Sequence, residues 1–204
     1  MKRVLVGVVT LNRCELLKRC VTYIKNQKYQ FDELIVVDNG STDETIKYLT
    51  NNDINHIKNP ISGSAKGWFT IIEYAIKNDY DLVWLMDDDG YPDKNALLHL
   101  INNFDYKKNS CLSSIVVKEN SHNELVFPIP ITDNDQKPIF QIKNKKYKTV
   151  IECKKNSINN LISFVHLFNG ALINLNKVKK IGNINLNLYH HGSEIDYYYR
   201  LSQE

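Results

Sequence analysis

Strand-like and helix-like segments alternate four times within the first 105 residues, and this alternation restricts the chain to few folds. The first segment, Val4 to Thr10, is an unbroken apolar run rich in β-branched residues, which is typical of a strand buried on both faces. The helix-like segments carry apolar residues three and four positions apart, as at Leu17, Val21 and Ile24. The pattern predicts an α/β fold with a mostly parallel central sheet flanked by helices.

The predicted boundaries are clearer in the first half than in the second. Strands are predicted at Val4–Thr10, Leu34–Val37, Ile54–Ile57 and Leu82–Met86, and helices within Arg13–Gln27, after Ser41–Glu44, at Trp68–Ile76 and at Asp93–Phe104. Later, a strand is predicted at Cys111–Lys118, one bent or two short strands within Phe164–Leu175, and helices at Asn176–Ile181 and Glu194–Leu201. Residues 119–160 are polar and punctuated by proline, and their elements are left unassigned. Since no internal repeat or flexible linker interrupts the chain, we expect one domain over residues 1–204.

The composition excludes several classes of protein. A formal net charge of +3 is too small to indicate a nucleic-acid partner. The most basic stretch, Lys143 to Lys148, is interpreted as a solvated hairpin or loop, with contact to phosphate or an anionic membrane as the alternative. The four cysteines have no paired spacing, so neither a zinc site nor a disulfide framework is predicted. Neither a secretory signal nor a membrane span is predicted.

Three consecutive acids, Asp87, Asp88 and Asp89, follow the apolar run that ends at Met86. Adjacent carboxylates repel one another unless a cation or several donors compensate them. Hard divalent cations such as Mg²⁺ and Mn²⁺ prefer oxygen ligands, and α/β folds bind ligands at the carboxyl ends of their strands. A solvated acidic turn is the alternative, but the preceding apolar run would hold the acids at the edge of the core.

Three further loops follow predicted strands and carry polar or small residues. Arg13 ends the first loop, Asp38 begins the second, and Lys66 lies in the small-residue loop of Ser62 to Gly67. Each loop alone also fits an ordinary turn or helix start. Together they offer contacts for a base, a ribose, a diphosphate and a metal along one sheet edge. Neither a dinucleotide-binding glycine fingerprint nor a Walker-type loop is present in the sequence.

Six segments in this order resemble family 2 inverting glycosyltransferases of the GT-A fold. They are VVTLNR, VVDNGSTDET, SGSAKGWF, WLMDDDGYP, FNGALIN and KVKKIG…GSEIDYYYR. Within the family, the triple acid after Trp-x-Met is most similar to bacterial galactofuranosyl- and rhamnosyltransferases of surface-polysaccharide assembly. The resemblance implies a nucleotide-sugar-binding half at residues 1–105 and an acceptor half at residues 106–204. Relatives usually continue beyond the last predicted helix, so we expect the chain to be a truncated or a minimal catalytic domain.

The resemblance also implies roles for individual residues. The nucleoside would be held by Thr10, Arg13 and Asp38, and the diphosphate and sugar side would be lined by Lys66, Gly67 and Trp68. Asp87 and Asp89 match the Asp-x-Asp motif that holds Mn²⁺ or Mg²⁺, while Asp87 and Asp88 also belong to the expected nucleotide-sugar contacts. The triplet leaves the register open, and Asp88 is the alternative metal ligand.

The acceptor half would supply the general base, and two acids fit that role, Glu194 and Asp196. Tyr197 and Tyr199 are interpreted as core or helix-surface residues, and Arg200 as a structural ion-pair partner. His190 and His191 are interpreted as loop residues, with an acceptor or metal role as the alternative.

The implied activity is metal-dependent transfer of a hexose from a UDP- or dTDP-linked donor to a glycan or lipid-linked glycan acceptor in surface-polysaccharide synthesis. The implied location is the cytoplasm, at the inner face of the plasma membrane, with peripheral membrane association. The main alternative is a catalytically inactive domain that binds a nucleotide sugar or glycan. A sugar-nucleotide pyrophosphorylase shares the sheet type, but Thr10–Arg13 does not provide the glycine-rich triphosphate loop that such an enzyme needs.

Overall fold

The computed structural model describes residues 2–131, 133, 146–188 and 192–204. In chain order the elements are β1 (Val4–Thr10), α1 (Cys14–Lys25), β2 (Glu33–Asp38), α2 (Thr45–Asn51), β3 (Asn55–Lys58), α3 (Ser64–Lys77), β4 (Leu82–Asp87), α4 (Ala96–Asn103), β5 (Cys111–Ser113), β6 (Val117–Lys118), β7 (Ser121–Pro130), β8 (Lys146–Thr149), α5 (Val150–Asn156), β9 (Ala171–Asn174), α6 (Leu175–Ile181) and α7 (Gly192–Ser202). None of the described helices has the length and apolar character needed to cross a membrane.

The chain divides into two compact units. The first contains Met1–Ser114 and Leu167–Glu204, and the second contains Ile115–His166. The first unit holds a six-stranded sheet in the order β3-β2-β1-β4-β9-β5. Strands β3, β2, β1 and β4 are parallel, whereas β9 pairs antiparallel with both β4 and β5. The predicted mostly parallel sheet is therefore confirmed, while the single-domain arrangement and its division at residue 105 stay predictions.

Strand β1 lies at the centre of the sheet, and its alternating side chains separate the two layers of helices. Val4, Val6 and Val8 belong to one apolar cluster with residues of α1 and α4. Gly7 faces the opposite side, where an added Cβ would lie 2.3 Å from Ile71 Cγ2 of α3. Helices thus cover both faces, which explains why every residue of this strand is buried.

Replacement of Gly7 by alanine is expected to destabilise the protein by about 1–3 kcal/mol, because the new methyl group would force α3 away from the sheet. Chemical denaturation of the two proteins gives the difference in free energy of unfolding. Gly63→Ala is the matched control, since a Cβ there would meet nothing within 4 Å. Equal losses of stability in both variants would contradict this account of the α3 packing.

Two predicted strands differ from the structure. The segment from Cys111 to Lys118 is not one strand: β5 joins the six-stranded sheet and β6 joins a three-stranded sheet with β7 and β8. Within Phe164–Leu175 only β9 is extended, and it begins after Gly170, whose φ of +87° is a conformation that glycine adopts readily. Apolar continuity alone does not reveal where a chain changes its pairing partner. His190 and His191 lie outside the described residues.

The second unit has its own small core. Strands β6, β7 and β8 pair antiparallel, and Leu125, Ile129 and Cys153 form its buried cluster. Helix α5 begins with a capping box, in which Thr149 Oγ1 accepts from the backbone N–H of Glu152 and the Glu152 carboxylate accepts from that of Thr149. This helix lies within the region that the sequence analysis left unassigned.

Candidate active site

The carboxyl ends of three neighbouring strands meet at one edge of the first unit. Thr10 at the end of β1 is in register with Asp38 at the end of β2, and Val9 is in register with Asp87 at the end of β4. Because the strands are parallel, the polar residues that follow them are brought together there. The predicted assembly of these loops at one sheet edge is therefore present in the structure.

Asp88 is the most enclosed acid of the triplet, with only 4% of its surface exposed. Its carboxylate accepts a hydrogen bond from Thr10 Oγ1 at 2.8 Å and one from Arg13 Nη1 at 3.3 Å. Burial raises the pKa of Asp88, and the contacts with Thr10 and Arg13 oppose that shift. Asp88 is thus paired within the protein, which links the first and fourth strand-end loops.

Asp89 is half exposed and lies 3.4 Å from Arg13 Nη1, so the same guanidinium contacts two neighbouring acids. The backbone of the triplet is held from α1. Cys20 Sγ donates to the carbonyl oxygen of Asp87 at 3.5 Å, and Arg19 Nη2 donates to that of Asp89 at 3.2 Å. These contacts fix the turn that presents the acids.

Asp87 has the least compensated charge of the three. Burial is the main reason why the pKa of Asp87 is raised to about 7, and the charges of Asp89, Asp88 and Glu194 add to the shift. A hydrogen bond from Asn169 opposes this rise in pKa only in part. Oxygen donors under strong mutual repulsion are the chemistry that favours a hard divalent cation. The oxygen donors of the triplet therefore have the chemistry that Mg²⁺ or Mn²⁺ prefers. Among the described residues, no three His, Cys, Asp or Glu side chains are arranged so that they could hold a metal ion without further ligands.

Asn169 lies in the segment FNGALIN, and the sequence predicts no individual role for it. The next residue anchors the segment: Gly170 N donates to Leu85 O at 2.8 Å, and Trp84 Nε1 donates to Gly170 O at 3.1 Å. The asparagine is thereby held against the end of β4. An Asn-Gly pair directly before a buried strand is the signal that could have indicated such a position.

Asp38 is fully buried, at 0% exposure. Both of its carboxylate oxygens accept from the backbone N–H of Ser41, at 3.0 and 3.1 Å. The carboxylate therefore organises the turn after β2, and its predicted contact with the nucleoside stays a prediction.

The first two strand-end loops are joined by side chains that the sequence analysis did not single out. Asn12, with a φ of +54°, receives hydrogen bonds on Oδ1 from the backbone N–H and the hydroxyl of Thr42, at 2.7 and 3.3 Å. Asp43 accepts from the backbone N–H of Cys14 at 3.1 Å and from that of Thr45 at 3.0 Å. The starts of α1 and α2 are thus fixed relative to each other.

The third loop leads into α3, and its predicted residues differ in accessibility. Lys66 is half-buried and lies over the ring of Phe69, with Nζ 4.8 Å from the ring centroid. Gly67 is buried, and a Cβ there would lie 2.6 Å from Val9 and 3.0 Å from Asn39 Nδ2. This close approach explains the glycine by packing. Asn39 was not predicted, yet it accepts from Asn59 Nδ2 at 3.1 Å and connects the loop after β2 to the loop after β3.

Trp68 differs from the other predicted site residues because its side chain lies in the core. It is 1% exposed and stacks on Phe168, with ring centroids 4.8 Å apart and an interplanar angle of 7°. The ring therefore has no surface to offer a ligand in this structure. It supports the start of α3 from within the core.

The two candidate bases of α7 have different surroundings. Glu194 lies in the first turn, accepts from the backbone N–H of Leu167 at 3.1 Å, and is close enough to Asp87 to affect its ionisation. Asp196 instead accepts from Arg200 Nε at 2.9 Å and Nη2 at 2.8 Å. The structural ion pair predicted for Arg200 is confirmed, as are the core and surface positions of Tyr197 and Tyr199.

Residues 5–168 match Glycosyl transferase family 2, which is most of the chain. The galactofuranosyltransferase GlfT1 of Mycolicibacterium smegmatis is 27% identical over 198 residues, which are 95% of this chain and 63% of that protein.

Two solved structures have a similar fold. The mannosyltransferase PcManGT from Pyrobaculum calidifontis, in complex with GDP-Man and Mn²⁺, has a TM-score of 0.64 and 17% identity, covering 97% of this chain and 51% of that one. S. aureus TarS 1-349 in complex with UDP-GlcNAc has a TM-score of 0.65 and 15% identity, covering 98% and 53%. The chain thus spans less than two thirds of each of these proteins. On the family match, the chain belongs to glycosyl transferase family 2.

Proposed function

We propose that the protein transfers a hexose, with inversion, from a UDP- or dTDP-linked donor to a hydroxyl group of a glycan or lipid-linked glycan acceptor. The observation that carries this proposal is the partly buried carboxylate of Asp87, the least compensated of the triplet, which lies at the sheet edge with Glu194 close to it. Membership of the family supports sugar transfer as the reaction class.

The donor would lie along the carboxyl ends of β2, β1 and β4. Arg13 and Thr10 are next to the acid triplet, Asp38 lies beside Thr10 in the sheet register, and Lys66 follows the loop before α3. A helix N-terminus with a nearby ammonium group suits a diphosphate. Gly67 and Trp68 would shape this end of the site through packing, since both are buried.

Asp87 and Asp89 would hold the divalent cation, Mn²⁺ or Mg²⁺. Asp88 is the less suitable ligand because Thr10 and Arg13 already occupy its oxygens. When bound, the cation neutralises the charge that develops on the diphosphate as its bond to the sugar breaks. Arg13 pairs with both Asp88 and Asp89 and so compensates part of the charge of these two acids.

Glu194 is the proposed general base. Its position near Asp87 suits an acid that faces the donor site, whereas the carboxylate of Asp196 is held by Nε and Nη2 of Arg200. The base would take the proton of the acceptor hydroxyl as its oxygen attacks the anomeric carbon and the nucleoside diphosphate leaves. One displacement inverts the anomeric configuration and needs no covalent glycosyl-enzyme.

The acceptor and the pathway are proposed from similarity. The relative in Mycolicibacterium smegmatis is a galactofuranosyltransferase, which supports a hexose as the transferred sugar. An acceptor in surface-polysaccharide synthesis is proposed from the resemblance of the sequence motifs alone. Such an acceptor, when lipid-linked, would place the reaction at the cytoplasmic face of the plasma membrane.

Isothermal calorimetry with UDP, dTDP and GDP, each with and without Mn²⁺, tests the donor site. We expect UDP or dTDP to bind in a metal-dependent manner, and GDP is included because a carboxylate at the position of Asp38 can accept from the N–H of a pyrimidine or of guanine. Asp89→Ala is expected to weaken the metal-dependent binding by at least about tenfold, whereas Glu15→Ala, an exposed acid on α1, leaves it unchanged.

Tight binding that needs no metal and is unaffected by Asp89→Ala would contradict the proposed metal site. Nucleotide binding without sugar transfer to any offered acceptor would favour a binding domain. Turnover can be followed as nucleoside diphosphate released from the sugar donor in the presence of a glycan acceptor.

A further inference from the structure

Among the described residues of the second unit, five large aliphatic side chains are exposed, and Ile151, Ile158 and Leu161 are the most exposed of them. Ile151, Ile158 and Leu161 are 55%, 56% and 45% exposed. The core cluster of this unit contains Leu125, Ile129 and Cys153 but none of these three. Exposed apolar side chains indicate a site of interaction where they lie next to each other on the surface.

Two of the exposed side chains are held next to each other by a tight turn. Ile158 and Leu161 form an antiparallel bridge with backbone N···O distances of 3.0 and 2.9 Å. Asn159 and Asn160 between them have φ values of +51° and +62°, as in a type I′ turn. Directly opposed residues of such a bridge project to the same side, so the turn presents both apolar side chains together.

The third side chain lies on α5, immediately before this turn. Ile151 is followed by Lys154 and Lys155, which are three and four positions later and therefore share its side of the helix. Cys153 on the other side is buried in the core of the unit. We name Ile151, Lys154, Lys155, Ile158 and Leu161 the basic–apolar patch.

The charge around the basic–apolar patch is strongly one-sided. From Lys146 to Lys155, all of which the structure describes, the sequence contains four lysines and a single acid, Glu152. The carboxylate of Glu152 is used by the capping box, where it accepts from the backbone N–H of Lys148 at 2.7 Å and of Thr149 at 3.0 Å. Among the described residues, neither Lys154 nor Lys155 forms an ion pair, in contrast to Lys118, which pairs with Glu124.

This composition favours a lipid surface over a protein partner. Protein interfaces are enriched in aromatic residues and arginine and depleted in lysine. The basic–apolar patch has the opposite character, with aliphatic tips beside lysines. Aliphatic side chains enter the boundary between headgroups and acyl chains, while the flexible lysine stems keep their ammonium groups at the anionic headgroups.

We propose that the basic–apolar patch docks the protein onto an anionic lipid bilayer. Ile158 and Leu161 enter the interface and the lysines contact lipid phosphates. The proposal would give the lipid-linked acceptor a physical meeting point with the protein. It does not depend on sugar transfer, because its test measures lipid binding alone.

Co-sedimentation of the 204-residue protein with vesicles tests the proposal. We expect binding to vesicles of phosphatidylcholine containing phosphatidylglycerol and much weaker binding to pure phosphatidylcholine. The double variant with Lys154→Gln and Lys155→Gln is expected to bind the anionic vesicles roughly 30-fold more weakly, which is about fivefold for each lysine. The double variant with Ile158→Ser and Leu161→Ser is expected to weaken vesicle binding by at least about tenfold.

Lys107→Gln with Lys108→Gln is the matched control, since these adjacent lysines are exposed and lie in the first unit. The control should bind vesicles as the unaltered protein does, and circular dichroism should show that all variants are folded. Equal binding to both kinds of vesicle, or unchanged binding by either patch variant, would overturn the proposal. A protein that ignores vesicles but sediments as a dimer sensitive to the Ile158 and Leu161 changes would instead identify a second copy as the occupant.

Discussion

Replacing Glu194 by glutamine is expected to lower the rate of sugar transfer by about 10²–10⁴-fold while leaving nucleotide affinity within about twofold. The amide cannot take a proton from the acceptor hydroxyl, yet its oxygen can still accept the hydrogen bond from the backbone N–H of Leu167. The fold and the donor site are therefore preserved. Steady-state transfer rates and calorimetry with the nucleoside diphosphate separate the two effects.

Asp196→Asn is the matched control for this experiment. Asp196 is bound by Arg200, which also donates to the carbonyl oxygens of Ile181 and Asn183. Its neutralisation is expected to reduce stability by about 1 kcal/mol or less, since the pair is partly exposed, with little change in rate. The reverse result, a lost rate in Asp196→Asn and an active Glu194→Gln, would assign the base to Asp196. A product that retains the donor's anomeric configuration would contradict the single-displacement mechanism for either acid.

The parallel part of the fold was predictable because each strand is marked by local sequence. Val4–Thr10 and Leu82–Met86 are apolar on both faces and end abruptly in polar residues, so their length and burial follow from the pattern alone. The antiparallel insertion of β9 between β4 and β5 was not predictable in this way. Strand pairing is a long-range property, and Ala171–Asn174 carries no local mark of its neighbours.

The candidate site was predictable at the level of loops and less so at the level of side chains. The acid triplet follows a strand, so its position at the sheet edge required only the strand prediction. The separate surroundings of Asp87 and Asp88 depend on Thr10, Arg13 and Asn169, which are distant in sequence. The burial of Trp68 against Phe168 likewise arises from packing between remote segments.

In the second unit, the strands themselves are hard to predict from local sequence patterns. Strand β7 buries Leu125 and Ile129 but exposes Val126 and Phe127, so its residues do not alternate regularly. A bulge or irregularity in its pairing with β8 disturbs the two-residue period on which strand prediction depends. The capping box of Thr149 and Glu152 was nevertheless present in the sequence and could have identified α5.

Asp87→Asn is expected to abolish metal-dependent nucleotide binding and, in the metal-free protein above pH 7, to raise stability by on the order of 2–4 kcal/mol. Folding raises the pKa of Asp87 from its ordinary value to about 7, chiefly through burial. Between about pH 4 and pH 7 the native protein therefore binds more protons than the unfolded chain, and this group makes stability fall as the pH rises through that window. Asparagine does not titrate, so the Asp87→Asn protein does not lose stability through this group as the pH rises.

Thermal unfolding at acidic and alkaline pH, in the presence of a chelator, measures this effect. The melting temperature of the unaltered protein should fall toward alkaline pH more steeply than that of Asp87→Asn, and Mn²⁺ should restore it only in the unaltered protein. Asp89→Asn is the comparison variant: it removes the charge that contributes most, after burial, to the raised pKa of Asp87, so it should reduce the fall in stability only in part. An Asp87→Asn protein that is no more stable than the original at alkaline pH without metal would show that the Asp87 carboxylate is already compensated, and the reason for placing a cation beside it would be lost.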